Sequence, residues 1–196
     1  MDKNRAIIYL QPNEVTKLIS AIDVLEDKAL IVTGIETGMR VSEITQGFSI
    51  EMINWDDGTA KIYDEKKDLY RDIAIPRTAL TLLKMYLRSE KRSKKRRGKG
   101  RVFPFSYKTA NRKLMFWVEK VSITKFDREG RLVNFTWHKL RHTFVRLSQH
   151  NGRDMKAIAQ QMGDKLSTVL NVYGTWEPSA MTKHFDETPL CPIQEE

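Results

Sequence analysis

The spacing of apolar residues switches from a helical to a strand-like period in one region of this 196-residue chain. Elsewhere apolar residues recur every three or four positions, which is typical of amphipathic helices. Residues 59–63 instead alternate apolar and polar side chains after the turn signal NWDDG (residues 54–58), and a second strand-like stretch covers residues 71–75 before Pro76. The sequence therefore predicts an α+β fold that is mainly helical and contains a small antiparallel sheet made of two strands.

The helical stretches carry recognisable start and stop signals. Pro12 begins the first, Gly38 ends the second, and Gly130 lies in a turn within residues 127–131. We predict helices at about residues 12–22, 27–37, 40–45, 78–88, 108–121, 137–151, 154–162 and 167–173. The last twenty residues are predicted to form a short helix and a loose tail. The sequence shows no internal repeat and no second compact domain.

The charge of the chain favours a polyanionic partner, since the formal net charge is +9 and the pI is about 9.6. Residues 88–101 contain nine Lys or Arg residues and one acidic residue, Glu90. Such a run is often only a solvated loop, and its lack of apolar residues at helical spacing argues against a helix lying on a membrane. The candidate DNA-binding residues are Arg92, Lys94, Lys95, Arg96, Arg97, Lys99 and Arg101.

Several other classes of protein are disfavoured. No apolar stretch is long enough to predict a membrane-spanning helix, and the first residues lack the apolar core of a secretory signal. The single cysteine, Cys191, excludes an internal disulfide and a cysteine-rich metal site. We therefore expect a cytoplasmic protein that uses no cofactor and no metal.

Four groups of side chains could carry chemistry, although each has an ordinary explanation. Arg40 follows a helix end, where arginine is usually a salt-bridged surface group. Lys66 and Lys67 fall at the predicted hairpin tip, where lysine usually serves only solubility. Tyr173 lies among apolar residues and could be a core aromatic.

The segment HKLRH (residues 138–142) stands out more clearly. His138 and Arg141 are three residues apart and share one helix face, close to a helix start that suits an anion. Capping and surface charge is the alternative explanation.

Together these groups would suit attack on a phosphodiester. Two arginines can bind a phosphate bidentately, and a histidine can donate to a non-bridging oxygen. A lysine can protonate a departing 5′ oxygen, while a tyrosine attacks and forms a covalent intermediate. This set needs no metal.

Two stretches resemble the signature boxes of the tyrosine recombinases, or phage integrases, near their Xer-like branch: TGMRVSEI (residues 37–44) and WHKLRHTF (residues 137–144). The resemblance covers about residues 9–176. It implies that Arg40, His138 and Arg141 contact the scissile phosphate and that Tyr173, at the family's usual spacing, is the nucleophile.

The resemblance also assigns supporting roles. The family places a lysine in the hairpin ahead of a strand ending like RDIAIP (residues 71–76), which matches Lys67, with Lys66 as the alternative. Glu43 matches an acidic position that supports the active-site arginine and lysine.

One position departs from the family pattern. The family usually has His or Trp where this chain has Asp164, after Met162 and Gly163. Ionised aspartate cannot donate to a phosphate and would repel it. We therefore expect Lys165 or Trp176 to take over the role, or the site to be weakened, and we expect Asp164→His to retain activity.

The resemblance implies a site-specific recombinase or integrase that acts on double-stranded DNA through a 3′-phosphotyrosine. It further implies a catalytic domain at residues 1–176, a C-terminal segment at residues 177–196 that protomers exchange, and an absent N-terminal core-binding domain. The expected assembly is a homotetramer on DNA and a monomer in solution, in a prokaryotic host. The alternatives are a type IB topoisomerase or telomere resolvase, or a DNA-binding module without catalysis.

Overall fold

The computed structural model describes residues 7–64, 67–89, 100–174, 181–182 and 186–187. The helices and strands within these ranges are α1 Pro12–Ala21, α2 Leu25–Thr37, β1 Ile53–Asn54, β2 Thr59–Asp64, β3 Leu69–Ala74, α3 Arg77–Arg88, α4 Tyr107–Lys120, α5 Trp137–His150, α6 Met155–Met162 and α7 Leu166–Tyr173. None of the helices described is both long and apolar enough to cross a membrane.

The predicted fold class is confirmed: in the described residues helices dominate, and the strands form a small antiparallel sheet. The sheet has three strands in the order β1-β2-β3, one more than the sequence predicted. The extra strand β1 is only two residues long, with Ile53 opposite Ala60, and is therefore too short to show an alternating pattern. In β2 the side chains of Ala60, Ile62 and Asp64 are buried on one face.

The end of α2 and the segment after it position the first candidate residues. Gly38 closes α2 in the left-handed conformation, with φ of 63°, and a side chain there would overlap the ring of Phe144 on α5. The predicted third helix is largely replaced by a π-helical turn, Glu43–Gly47. The buried Glu43 carboxylate anchors this turn, because it accepts a hydrogen bond from the Arg40 amide at 2.7 Å.

The main core surrounds α2, whose residues from Ala29 to Ile35 are all buried. A helix that is buried on every side lies at the centre of its domain. The two large indoles in this core have hydrogen-bond partners. Trp117 donates to the Asp27 carboxylate at 2.8 Å, and Trp137 donates to the Met39 carbonyl at 2.9 Å. The second of these bonds ties the start of α5 to the end of α2.

A second, smaller apolar cluster joins α5, α6 and α7. Its buried members are Phe144, Val145, Ile158, Ala159, Met162, Val169 and Tyr173. Tyr173 is therefore a buried core aromatic, which agrees with the non-catalytic explanation of this residue. Its hydroxyl group nevertheless has a polar partner, and this end of the ring belongs to the site described next.

Candidate active site

The site begins with two arginines that come from distant parts of the chain. Arg40 lies just after α2, and Arg141 lies in the second turn of α5. Arg141 is almost completely buried and donates to the Gly38 carbonyl at 2.5 Å and to the Met162 carbonyl at 2.8 Å. It thus joins the end of α2, the end of α6 and its own helix.

Both guanidinium groups meet at one carboxylate. Arg40 Nη2 donates to Asp164 Oδ1 at 2.5 Å, and Arg141 Nη2 donates to Asp164 Oδ2 at 2.7 Å. Asp164 follows Gly163, the residue that caps α6. The two guanidinium groups therefore point at one position, which has the size of a small anion.

The charges of this group stabilise one another. Burial raises the pKa of Asp164, but Arg141, Arg40 and Lys67 outweigh it, so that this pKa lies below its usual range. Burial lowers the pKa of Arg40, yet Glu43 and Asp164 outweigh it and the net shift is upward. Burial and the neighbouring Arg40 lower the pKa of Arg141. Asp164 is therefore ionised in this arrangement.

Lys67 reaches the same group from the turn between β2 and β3. Its Nζ donates to the Gly163 carbonyl and lies 4.0 Å from Asp64 Oδ2. Lys67, Asp164 and the exposed Lys165 share the lining of a cleft of about 250 Å³. Lys67 therefore lies beside the position that the two arginines define.

Glu43 holds two arginines at once. It accepts from Arg40 Nη1 at 2.8 Å and from both terminal nitrogens of Arg71, at 2.9 and 3.0 Å. Glu43 is only 3% exposed, so these charge-assisted bonds are shielded from solvent. Arg40 thus has a fixed position that does not depend on Asp164 alone.

Sequence reasoning missed both Arg71 and Asp64. Arg71 lies on β3, opposite Ile62, and nothing in its local sequence signals a partner 28 residues away. Asp64 accepts from Arg40 at 3.1 Å and is buried. A signal did exist for Asp64, because the alternation of β2 places it on the buried face, where a carboxylate requires a partner.

His138 and Tyr173 lie within electrostatic range of Arg141. His138 lies in the first turn of α5 with an exposed side chain, and partial desolvation together with Arg141 lowers its pKa. Tyr173 ends α7, and burial raises its pKa to about 12. Its hydroxyl group makes a hydrogen bond with Nδ1 of His142, a histidine that the sequence placed in the anion-binding segment without a catalytic role of its own.

Not every candidate can be located. Two candidates, Lys66 and Trp176, lie outside the described residues. The same holds for most of the basic run: Arg92, Lys94, Lys95, Arg96, Arg97 and Lys99. Arg101, at the end of the run, is described and exposed. In the described ranges, no cluster of three His, Cys, Asp or Glu residues could hold a metal ion.

Comparison with known proteins gives consistent results. A model described as "Phage integrase family" matches residues 9–177. The tyrosine recombinase XerA of Pyrococcus horikoshii is 28% identical over 180 residues, which cover 91% of this chain and 59% of that protein. The chain thus spans less than two thirds of the length of this relative.

Solved structures share the fold. A crystal structure of a XerA recombinase gives a TM-score of 0.72 at 22% identity, covering 94% of this chain and 66% of that one. A Tn1549 transposon integrase in complex with transposon right end DNA gives a TM-score of 0.71 at 16% identity, covering 95% of this chain and 67% of that one. At these identities the likeness concerns the fold.

Proposed function

The chain belongs to the phage integrase family, and we propose that it is the catalytic domain of a tyrosine recombinase. In this proposal it breaks and rejoins DNA through a 3′-phosphotyrosine on Tyr173. The observation that carries the proposal is the convergence of Arg40 and Arg141 on the carboxylate of Asp164. Two guanidiniums that share one carboxylate can share one phosphodiester in the same way, once Asp164 gives up the position.

The reaction follows from the groups around that position. Arg40 and Arg141 bind the non-bridging oxygens and stabilise the charge of the pentacoordinate transition state. His138 adds a hydrogen bond to one of these oxygens. Tyr173 Oη attacks phosphorus and displaces the 5′ oxygen, which takes a proton from Lys67 Nζ. Because the phosphotyrosine conserves the energy of the broken bond, rejoining needs no external energy source.

Two supports have a structural role in this proposal. The Glu43 carboxylate binds both the backbone amide and the guanidinium of Arg40. The same carboxylate also binds the guanidinium of Arg71. Neither Glu43 nor Arg71 needs to touch DNA. They restrict Arg40 to one orientation, which is what preorganised binding of a phosphate requires.

The proposed partner is double-stranded DNA, in the cytoplasm of a prokaryotic host. The net charge of +9 supports this partner, as does the transposon integrase of the same fold that was solved with transposon DNA. We further propose that residues 1–176 form the catalytic domain, that residues 177–196 are exchanged between protomers, and that the chain is a monomer in solution and a tetramer on DNA.

A covalent-capture experiment tests the function. Wild type and Tyr173→Phe would be incubated, without divalent metal, with a library of nicked duplexes of randomised core sequence, and denaturant-stable protein–DNA adducts would be isolated. We expect an adduct with wild type and none with Tyr173→Phe. An adduct that persists in Tyr173→Phe would show that Tyr173 is not the nucleophile, and DNA binding without any adduct would favour a non-catalytic binding module.

The products formed from this adduct distinguish a recombinase from the two enzymatic alternatives. A recombinase joins strands from two captured sites, whereas a type IB topoisomerase relaxes supercoiled plasmid without exchanging strands. Relaxation alone, with no joined product from two duplexes, would contradict the recombinase assignment. A telomere resolvase would instead produce hairpin ends.

A further inference from the structure

The proposed reaction leaves one question open, which is where the proton of Tyr173 goes. The hydroxyl group of Tyr173 is hydrogen-bonded to Nδ1 of His142. The two rings lie with their centroids 5.5 Å apart and tilted by 59°. His142 follows Arg141 directly on α5, so the helix that supplies a phosphate-binding arginine also places an imidazole on the nucleophile.

Tyr173 and His142 are both uncharged at pH 7, so the phenolic proton can move to the imidazole only as the tyrosine oxygen bonds to phosphorus. A phenol with a pKa of about 12 is ionised to only about one part in 10⁵ at pH 7, so Tyr173 reaches the reaction as a neutral phenol. Burial, together with His138 and Arg141, lowers the pKa of His142 to about 4. His142 is therefore neutral at pH 7 and has one ring nitrogen that can accept a proton.

The other described groups around Tyr173 are poor acceptors. The Arg146 guanidinium lies 5.8 Å from the ring centroid of Tyr173 and is permanently charged. Gln149 donates to the Tyr173 backbone carbonyl at 2.7 Å, which leaves the hydroxyl untouched. Asp164 directs its two oxygens at Arg40 and Arg141, whereas the Tyr173 hydroxyl is bonded to His142. His142 is the basic group that contacts the reacting oxygen.

We propose that His142 is a catalytic residue that accepts the phenolic proton of Tyr173 during strand cleavage. As the bond between Tyr173 Oη and phosphorus forms, the O–H bond breaks and the proton moves to His142 Nδ1. The bond from phosphorus to the 5′ oxygen breaks, and Lys67 Nζ supplies the proton to that oxygen. In rejoining, the 5′ hydroxyl attacks, Lys67 regains its proton, and His142 returns its own to the departing phenolate. This inference rests on the proposed function.

His142→Asn separates proton acceptance from mere positioning. The asparagine Oδ1 lies close to the place of Nδ1 and can accept a hydrogen bond from Tyr173, but it is not a base. His150→Asn is the matched control, because His150 lies in the last turn of the same helix. DNA affinity, measured with the nicked duplexes captured by wild type, would confirm that each variant is folded.

The rate of adduct formation on those duplexes is the readout, with either oxygen or sulfur as the bridging 5′ atom. We expect His142→Asn to slow the reaction about 10²-fold or more on both substrates, as general-base removal does, and His150→Asn to match wild type. Lys67→Ala should be slow on oxygen and rescued on sulfur, because a thiolate leaves without a proton. Imidazole in solution should partly restore His142→Ala.

Several outcomes would overturn the assignment. A rate for His142→Asn within twofold of wild type would show that His142 does not accept the proton, while the wild-type adduct still upheld the proposed function. Rescue of His142→Asn by the sulfur substrate would place His142 on the leaving-group side. A DNA-binding His142→Ala that imidazole fails to restore would indicate a structural role. Absence of any wild-type adduct would remove the proposed function, and this inference with it.

Discussion

Arg141 donates to the carboxylate of Asp164 at 2.7 Å, at the position where the proposed reaction needs a phosphate. Arg40 binds the other oxygen of the same carboxylate at 2.5 Å. The sequence suggested that an aspartate at this position would repel DNA. The structure instead shows a carboxylate paired with both arginines, so that an incoming phosphate must compete with it for the same donors.

Removing that competition should strengthen anion binding. We predict that Asp164→Asn binds inorganic phosphate about tenfold more tightly at constant ionic strength, because loss of one charge-assisted competitor corresponds to about 1.4 kcal/mol. Isothermal titration calorimetry would measure the affinity. Asp56→Asn, the same charge change at an exposed position, is the control, and equal affinities in the two variants would contradict the competition. For the same reason we retain the expectation that Asp164→His remains active.

Gly163 should be sensitive to any side chain. Its φ is +67°, and an added Cβ would lie 2.6 Å from Arg71 Nε. Gly152 has a φ of +70° and nothing within 4 Å, so that Gly152→Ala isolates the backbone strain of about 1 kcal/mol. We predict that Gly163→Ala loses at least about 1 kcal/mol more in urea unfolding, because Arg71 must shift away from Glu43. Equal losses in the two variants would mean that Arg71 adjusts without cost.

The burial of His142 beside His138 and Arg141 should make the fold sensitive to acid. The pKa of His142 is about 4 in the folded chain, below the ordinary 6.5, so between these values the unfolded chain binds the extra proton. Stability from this group is therefore complete above pH 6.5 and is lost as the pH falls toward 4. We predict that wild type loses about 2 kcal/mol more than His142→Asn between pH 7 and pH 4.5. Urea unfolding at both pH values measures this, and parallel losses would contradict it.

The basic run should set the salt dependence of DNA binding. Replacing Arg92, Lys94, Lys95 and Arg96 by glutamine should reduce the slope of log affinity against log salt by about 3 to 4, if each contacts one phosphate. Fluorescence anisotropy of a labelled duplex at several salt concentrations measures the slope. An unchanged slope would exclude this run from the DNA contact.

Local signals predicted most of the fold. Pro12 and Gly38 mark helix ends whose chemistry is contained within a few residues, and the structure places helix boundaries there. Strand β1 could not be predicted, because two residues become a strand only by pairing with β2. The π-helical turn likewise depends on Glu43, whose carboxylate is fixed by Arg71 on strand β3.

The site residues likewise fall into those that the sequence could predict and those that it could not. Arg40, Arg141 and Tyr173 could be singled out because each lies in a motif or at a fixed spacing from one. The structure brings Arg40 and Arg141 together at Asp164 and places Tyr173 against His142, the neighbour of Arg141. The contact of His142 with Tyr173 could not be predicted, since it exists only after α6 and α7 fold back on α5. The pairing of Asp164 with two arginines is hidden for the same reason.

The bond from Arg141 to the Gly38 carbonyl joins residues that are 103 positions apart. A ribosome therefore releases Arg40 long before the helix that holds its counterpart has been made, and Tyr173 emerges later still. A chain that ends before α5 therefore carries only Arg40 of the two proposed phosphate-binding arginines and lacks Tyr173, the proposed nucleophile. All groups of the proposed reaction are thus present in one chain only after Tyr173 has been synthesised.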